Sequence, residues 1–295
     1  MTSQPRIAVL CSRIRVEEKL LLQELERRGV AFDRLDDSKV RFRLDEPEHI
    51  YDVVYDRSVS FGRSLYALRI LEGRGVQCVN RADVVQMCGD KLATHVALVG
   101  AGVPCPRTAV AFTPAAALEA LEDLGYPAVI KPVVGSWGRL IARVNDVDAA
   151  EAVLEDRAVL GSWQQQVYYL QEFVDKPGRD IRVFVVGDVP LCAIYRRSAH
   201  WITNTARGGE ASACPVDGDL GAMAASAARA VGGGLLAVDL VEDRAGALSV
   251  IEVNHTMEFR NSIEPTGVDI PARMIDWVLA QAESPLGTST TEAAT

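Results

Sequence analysis

Residues 235–254 read LLAVDLVEDRAGALSVIEVN. Two apolar strands, 235–241 and 247–253, flank Asp243-Arg244-Ala245-Gly246, a turn that would fold them into a hairpin. Each strand carries an acid in an apolar run. Asp239 lies between Val238 and Leu240, and Glu252 between Ile251 and Val253. The two-residue period of a strand puts Glu252 and Asn254 on one face, and the hairpin lets Asp239 join them. Acids near strand ends are often simply solvated, but acids inside runs this apolar need a partner. Three hard oxygen donors converging on one face suit Mg²⁺, which prefers oxygen and keeps positions open for phosphate.

Upstream, lysine is scarce: the chain has five, Lys19, Lys39, Lys91, Lys131 and Lys176. Lys131 closes the apolar run Ala128-Val129-Ile130 and precedes Pro132. That setting buries part of it, and a buried lysine needs an anion, for which phosphate is natural. Gly135-Ser136-Trp137-Gly138-Arg139 follows. A glycine-flanked turn of this kind exposes backbone N–H groups that can close over phosphate, although most such turns are only turns. Lys91, in Gly89-Asp90-Lys91, opens a helix and could reach a phosphate from the other side.

Composition excludes several classes. The 295 residues hold 31 Lys plus Arg against 40 Asp plus Glu, a net charge of −9 that disfavours bulk nucleic-acid binding. Six scattered cysteines with no CxxC pair argue against a zinc site or disulfide framework and fit a reducing cytoplasm. No apolar run approaches the ~20 residues of a membrane span, and no secretory signal is expected. The turn Cys11-Ser12-Arg13-Ile14-Arg15 lacks GxGxxG, and no GxxxxGK[ST] occurs, which removes dinucleotide-fingerprint and P-loop proteins.

Strands at 6–11, 31–35, 51–55 and 76–79 alternate with helices at 16–28 and 63–73, a doubly wound α/β unit. After a helix at 90–99 the pattern becomes α+β, with strands at 107–112, 127–133, 139–144 and 167–174 and helices at 114–124 and 146–156. Strands 181–186 and 190–196 form a hairpin about Gly187-Asp188, and helices 217–231 and 270–281 flank the acidic hairpin. Residues 198–215 show no period and read as a functional loop. The predicted domains are 1–90, 91–174 and 175–282, followed by a disordered tail at 283–295.

Taken in order, several short strings resemble the ATP-grasp ligases over residues 1–282: Asp90-Lys91, Val129-Ile130-Lys131-Pro132, the turn 135–139, Gln171-Glu172-Phe173-Val174, Gly178-Arg179-Asp180, Asp239 and Glu252-Val253-Asn254. The resemblance implies an ATP-grasp fold behind an N-terminal α/β (pre-ATP-grasp) domain, with ATP and Mg²⁺ as cofactors. It implies that Lys91 and Lys131 bind the ATP phosphates, covered by Gly135, Ser136, Trp137 and Gly138. Glu172, Phe173 and Val174 would form the adenine hinge through backbone groups, and Asp180 would hold the ribose. Asp239, Glu252 and Asn254 would ligate Mg²⁺. An arginine common two residues before the metal aspartate is Ala237 here, which leaves Arg196 or Arg207 to supply that charge.

Two longer strings narrow the resemblance. KPGRDIRVFVVG (176–187) is similar to the ribosomal-protein glutamate ligases. IYRRSAHWITNTARGG (194–209), with EVNHTMEF (252–259), resembles the LysX-type, RimK-like ligases that join α-aminoadipate to an amino-group carrier protein. That branch implies phosphorylation of the carrier's C-terminal glutamate, then attack by the amino acid's amine, in lysine biosynthesis. Arg196, Arg207 and Lys131 would be catalytic, offsetting charge on the transferring group. Arg196, Arg197, His200, Asn204, Thr205 and His255 would contact substrate, with a packing role the plain alternative for His200 and for Trp137. Alternatives are glutamate or an unusual amino acid as donor, ribosomal-protein glutamylation, or a regulator without catalysis. Segment 176–209 has six Lys/Arg against two acids, a local +4 on a −9 chain. By charge alone it is a solvated face, or a docking surface for a small acidic carrier. The expected assembly is a cytoplasmic homo-oligomer, dimer or tetramer, binding carrier and amino acid but neither nucleic acid nor membrane.

Overall fold

The computed structural model describes residues 5–45, 50–135, 138–203 and 209–283. Ser136, Trp137, Asn204, Thr205, Arg207 and the tail beyond 283 therefore lie outside the described residues. The chain divides into two compact units.

The first unit takes the chain up to Val85, with residues 258–260 and those from Asp269 onward. Its strands β1 (Ile7–Leu10), β2 (Phe32–Leu35), β3 (Val53–Asp56) and β4 (Gln77–Val79) form a parallel sheet in the order β2-β1-β3-β4. Parallel neighbours need crossovers, and α1 (Val16–Arg27) and α2 (Phe61–Gly73) provide them. β1 and β3 are buried along their whole length, as strands covered on both faces must be. Leu21 and Leu25 turn one face of α1 inward, and Gly29, at φ 66°, takes the left-handed conformation that closes the helix.

The last helix, α9 (Ile270–Glu283), also belongs here. Its buried Ile270, Met274, Ile275 and Val278 recur at helical spacing and face α1, β3 and β4. The sequence reading had placed this segment in the C-terminal subdomain and ended the first domain at residue 90. By its contacts α9 groups with the first unit, because that apolar stripe packs on the parallel sheet.

The second unit holds Gln86–Met257 and Asn261–Val268, so the two ATP-grasp subdomains predicted from sequence form one unit. α3 (Ala82–Gly89) leads into α4 (Lys91–Gly100), whose first turn is capped by Asp90 Oδ1 accepting from the Leu92 and Ala93 amides. β5 (Thr108–Ala111), α5 (Pro114–Leu124), β6 (Ala128–Lys131), β7 (Ala142–Val144), α6 (Val147–Leu160) and β8 (Tyr168–Glu172) follow. Their antiparallel sheet has the order β5-β8-β6-β7, and its buried Ile130 and Leu170 pack with Leu121 and Leu154 from α5 and α6.

A second antiparallel sheet has the order β11-β10-β9-β12-β13. It is built from β9 (Arg179–Gly187), β10 (Val189–Arg197), β11 (Glu210–Cys214), β12 (Gly234–Glu242) and β13 (Leu248–Asn254), with α7 (Gly218–Ala230) against it and the short α8 (Ile263–Thr266) beyond. Sequence reading missed α3, α8 and β11. Residues 210–214, EASAC, form an edge strand held by main-chain pairing to β10, and such small side chains leave little period to read. No helix among the described residues is long and apolar enough to cross a membrane.

Candidate active site

β6 delivers Lys131 to the end of its sheet, opposite Tyr169 of β8. Its Nζ donates to Gln171 Oε1 at 2.5 Å. Burial pushes the Lys131 ammonium down to about 8; Lys91 and Lys176 add to this, and the Glu252 carboxylate opposes it. An arriving anion would relieve that penalty. Lys91 opens α4, and its Nζ donates to Gly135 O at 2.7 Å and meets Glu252 Oε1 at 3.1 Å. A Cβ on Gly135 would meet Pro132 Cγ at 3.0 Å, so glycine lets the turn fold close to the lysine strand.

The acidic hairpin forms as β12 and β13. Asp239 lies directly across from Glu252, and Ala237 from Asn254. Asn254 Nδ2 donates to Asp239 Oδ2 at 3.3 Å. On its other side Asp239 faces Arg182 of β9 in register. Arg182 grips it with two hydrogen bonds of 2.7 Å, and Arg196 of β10 adds a 3.2 Å ion pair. Burial would raise the Asp239 carboxyl, but the two guanidiniums outweigh it and hold the group below its ordinary value. The charge expected from Arg196 or Arg207 is thus brought to Asp239 by Arg182 and Arg196 together, Arg207 lying outside the described residues.

Among the described residues no three His, Cys, Asp or Glu side chains converge as a metal cluster. The candidate set is two carboxylates and an amide, all able to offer oxygen, which fits a hard cation. Asp239 Oδ2 already accepts from Arg182, Arg196 and Asn254, whereas Oδ1 accepts from Arg182 Nε among the described contacts. A carboxylate oxygen with one acceptor site in use can still ligate.

Asp180 does not fit the ribose role given to it. It is buried, Oδ1 accepts from Arg196 Nε at 2.6 Å, Oδ2 accepts from the Thr203 hydroxyl, and Lys176 Nζ lies 3.6 Å away. Its oxygens anchor neighbouring side chains instead. Arg196, also buried, bridges Asp180 and Asp239. Arg197 follows it on the strand, so the pleat points it to the opposite face, where it is exposed. The structure thus separates the two arginines that sequence reading grouped as substrate contacts. His255 Nδ1 lies 3.1 Å from Thr256 Oγ1.

At the expected hinge, the Glu172 carboxylate accepts from Arg107 N and Nε at 2.8 Å, and the Glu172 and Phe173 amides donate to Arg107 O and Pro127 O. Arg143 stacks 4.2 Å over the Phe173 ring, and Trp201 meets the same ring edge-on. His200 stacks on Trp201, and its Nδ1 accepts from the Ile202 amide, so it shapes the loop rather than joining the Asp239 cluster. Phe173, Arg143, Pro127, Lys176, His200 and Trp201 line a cavity of about 500 Å³.

The sequence matches the LysX preATP-grasp domain over residues 7–87 and the RimK-like ATP-grasp domain over 88–278. This chain belongs to the RimK-like ATP-grasp family. It is an ATP-dependent ligase. A glutamate–LysW ligase (ArgX) of Sulfolobus acidocaldarius is 32% identical over 276 residues, covering 92% of this chain and 98% of that one. An α-aminoadipate–LysW ligase (LysX) of Sulfurisphaera tokodaii is 34% identical over 281 residues, covering 92% and 99%. A RimK domain ATP-grasp protein of Sphaerobacter thermophilus superposes with a TM-score of 0.79 at 29% identity, covering 93% and 99%.

In this RimK-like ATP-grasp site, sequence reasoning missed Arg182, Lys176, Thr203 and Gln171 as site residues. One signal was available: Asp180 and Arg182 alternate on the strand that lies between β10 and β12, so they share a face with Arg196 and Asp239. Strand order, which sequence does not display, was needed to use it.

Proposed function

We propose that this ligase joins the α-amino group of α-aminoadipate, or a related acidic amino acid, to the C-terminal glutamate side chain of a small acidic carrier protein. One observation carries the reading. Within a single unit, Lys91 and Lys131 meet the oxygen donors of the Asp239–Glu252–Asn254 hairpin, the Lys91–Glu252 contact of 3.1 Å linking the two groups. Relatives that act on LysW and span 92% of this chain support the carrier as acceptor.

In this reading Lys91 and Lys131 bind the phosphates, and the backbone at 172–174 takes the base. Asp239, Glu252 and Asn254 would hold Mg²⁺, which when bound supplies positive charge against the phosphate oxygens. A carboxylate oxygen of the carrier attacks the γ-phosphorus and the bond to ADP breaks, giving an acyl phosphate. The amine then attacks the acyl carbon, loses a proton, and phosphate leaves. Lys131 offsets charge on the transferring group, while Arg182 and Arg196 keep the Asp239 carboxylate ionised and aimed.

Glutamate as the amino acid is a second reading, favoured by the glutamate–LysW relatives of equal coverage. The test incubates purified protein with ATP, Mg²⁺, a carrier ending in glutamate and a panel of amino acids, and weighs the intact carrier by mass spectrometry. A gain equal to one aminoadipate residue, with one ADP formed per carrier, is expected. Gain with glutamate alone establishes the second reading, and an unmodified carrier with every amino acid overturns both.

A further inference from the structure

Lys131 Nζ donates to Gln171 Oε1, and this contact fixes the orientation of the Gln171 amide. An ammonium has only hydrogens to offer, so Gln171 must turn its oxygen toward Lys131 and its NH₂ away. That NH₂ donates to Thr108 Oγ1 at 3.0 Å and to the Tyr169 hydroxyl at 3.3 Å. Thr108 passes its own hydrogen to Pro106 O at 2.9 Å. The Tyr169 hydroxyl also lies 3.1 Å from His95 Nδ1, where the tautomer of the imidazole sets which group donates.

Gln171 and Tyr169 are buried at 3% and 2% exposure, where water cannot substitute for a lost partner. A reversed amide would press its NH₂ against the ammonium, and the Thr108 and Tyr169 hydroxyls would have to turn their hydrogens to its oxygen, Thr108 giving up Pro106 O. One orientation of Gln171 satisfies every member. Lys131, with four rotatable bonds, would otherwise be free to leave the sheet end.

We propose that Gln171 is the positioning residue for the nucleotide lysine: it holds the Lys131 ammonium at the site, and Thr108, Tyr169 and His95 hold Gln171 in the orientation that lets it do so. This rests on the reading that Lys131 binds ATP phosphate. Gln171 acts through Lys131, and once ATP is bound its phosphates hold the ammonium in place of Gln171, so the loss falls on ATP binding more than on turnover at saturating ATP.

The test measures ATP Kd by calorimetry, and KM and kcat for ATP, on the full chain with Gln171→Leu, Tyr169→Phe, both together, and Lys131→Met. Gln171→Leu is expected to raise Kd and KM about tenfold, with kcat reduced less than about threefold. Tyr169→Phe is expected to raise them about threefold. The double variant should bind ATP no worse than Gln171→Leu alone, since Tyr169 acts through Gln171. Normal ATP binding in Gln171→Leu, or additive losses in the double variant, overturns the proposal while Lys131→Met still binds ATP poorly. If Lys131→Met binds ATP normally, the reading of Lys131 fails and takes the proposal with it. Should Gln171→Leu not fold, Tyr169→Phe decides: an unchanged Kd overturns the proposal.

Discussion

Each unit contains a buried network of arginines and carboxylates, and the two differ in balance. In the first unit, Arg57 and Arg15 both grip Glu18, at 2.8 Å each, and Arg15 reaches on to Glu258 at 2.9 Å. Two cations meet two anions, Arg57 and Glu18 being almost wholly buried. In the second unit, Lys176, Arg182 and Arg196 share Asp180 and Asp239, so three cations meet two anions. The first set is saturated and ties α1 to the end of β3. In these contacts the second set has one cation more than anions, beside the oxygen donors of the hairpin, where under the proposed function a transferring phosphoryl group would need positive charge. Under the proposed function, similar ingredients would serve cohesion in one place and chemistry in the other.

The sharpest way to break this contrast is Glu252→Gln. Under the proposed function it removes an anionic ligand, and kcat should fall on the order of a hundredfold, with the melting temperature nearly unchanged. Wild-type turnover would remove the hairpin from the chemistry. Arg57→Met should do the reverse. It leaves Glu18 buried with one cation fewer and should lower unfolding free energy by about 3–5 kcal/mol in a denaturant titration, while kcat of the folded fraction holds. A large kcat loss there would mean that the saturated network is also catalytic.

Titration sharpens the comparison within the first unit. Burial alone would raise the Glu18 carboxyl, but hydrogen bonding to Arg15 and the Arg57 charge hold it at about 2, below its ordinary 4.5. The folded state therefore gives up its proton more readily than the unfolded one, and stability should drop as pH falls from about 4.5 towards about 2. Asp56 has the opposite sign: burial pushes its carboxyl up from 3.8 to about 6 despite hydrogen bonds from Ser64 and the Ser58 amide. Its contribution is full below 3.8 and is lost as pH rises through about 6. Asp56→Asn should abolish that decline and stabilise the protein at pH 7 by on the order of 1 kcal/mol, read from denaturant midpoints across pH. An unchanged pH profile would contradict the assignment. The smallest effect belongs to the exposed end of the basic segment. Arg179 pairs with Glu242 at 2.8 Å and stacks on Tyr195, so reversing its charge would disturb packing. Arg197 is the cleaner probe: Arg197→Glu should raise the carrier KM severalfold at low salt, with the difference fading as salt screens it.

Much of this molecule could be read from its residues. Asp239, Glu252 and Asn254 announced themselves because charged groups inside apolar strands demand a reason, and the short turn 243–246 put them together. Lys91 and Lys131 stood out because lysine is rare in this chain. What resisted reading depended on strand order. Nothing local says that β9 lies between β10 and β12, so Arg182 went unassigned and Asp180 was given a ribose rather than Arg196 and Thr203. β11 hid in a run of small residues whose pairing is made by backbone. Gln171 sat in a recognised motif, but its task follows from which groups face it across the sheet.

The placement of α9 has a consequence for the order of events on the ribosome. The first unit is begun by the earliest residues of the chain, yet its sheet is not fully covered until Ile270–Glu283 has emerged. At typical rates of about 5–20 residues per second, synthesis from Val85 to Ile270 takes about 10–40 s. Throughout that interval the nascent first unit exposes the apolar surface that Met274, Ile275 and Val278 later bury. The opening segment must therefore wait, guarded by chaperones or by its own partial structure, for a helix encoded near the far end of the message.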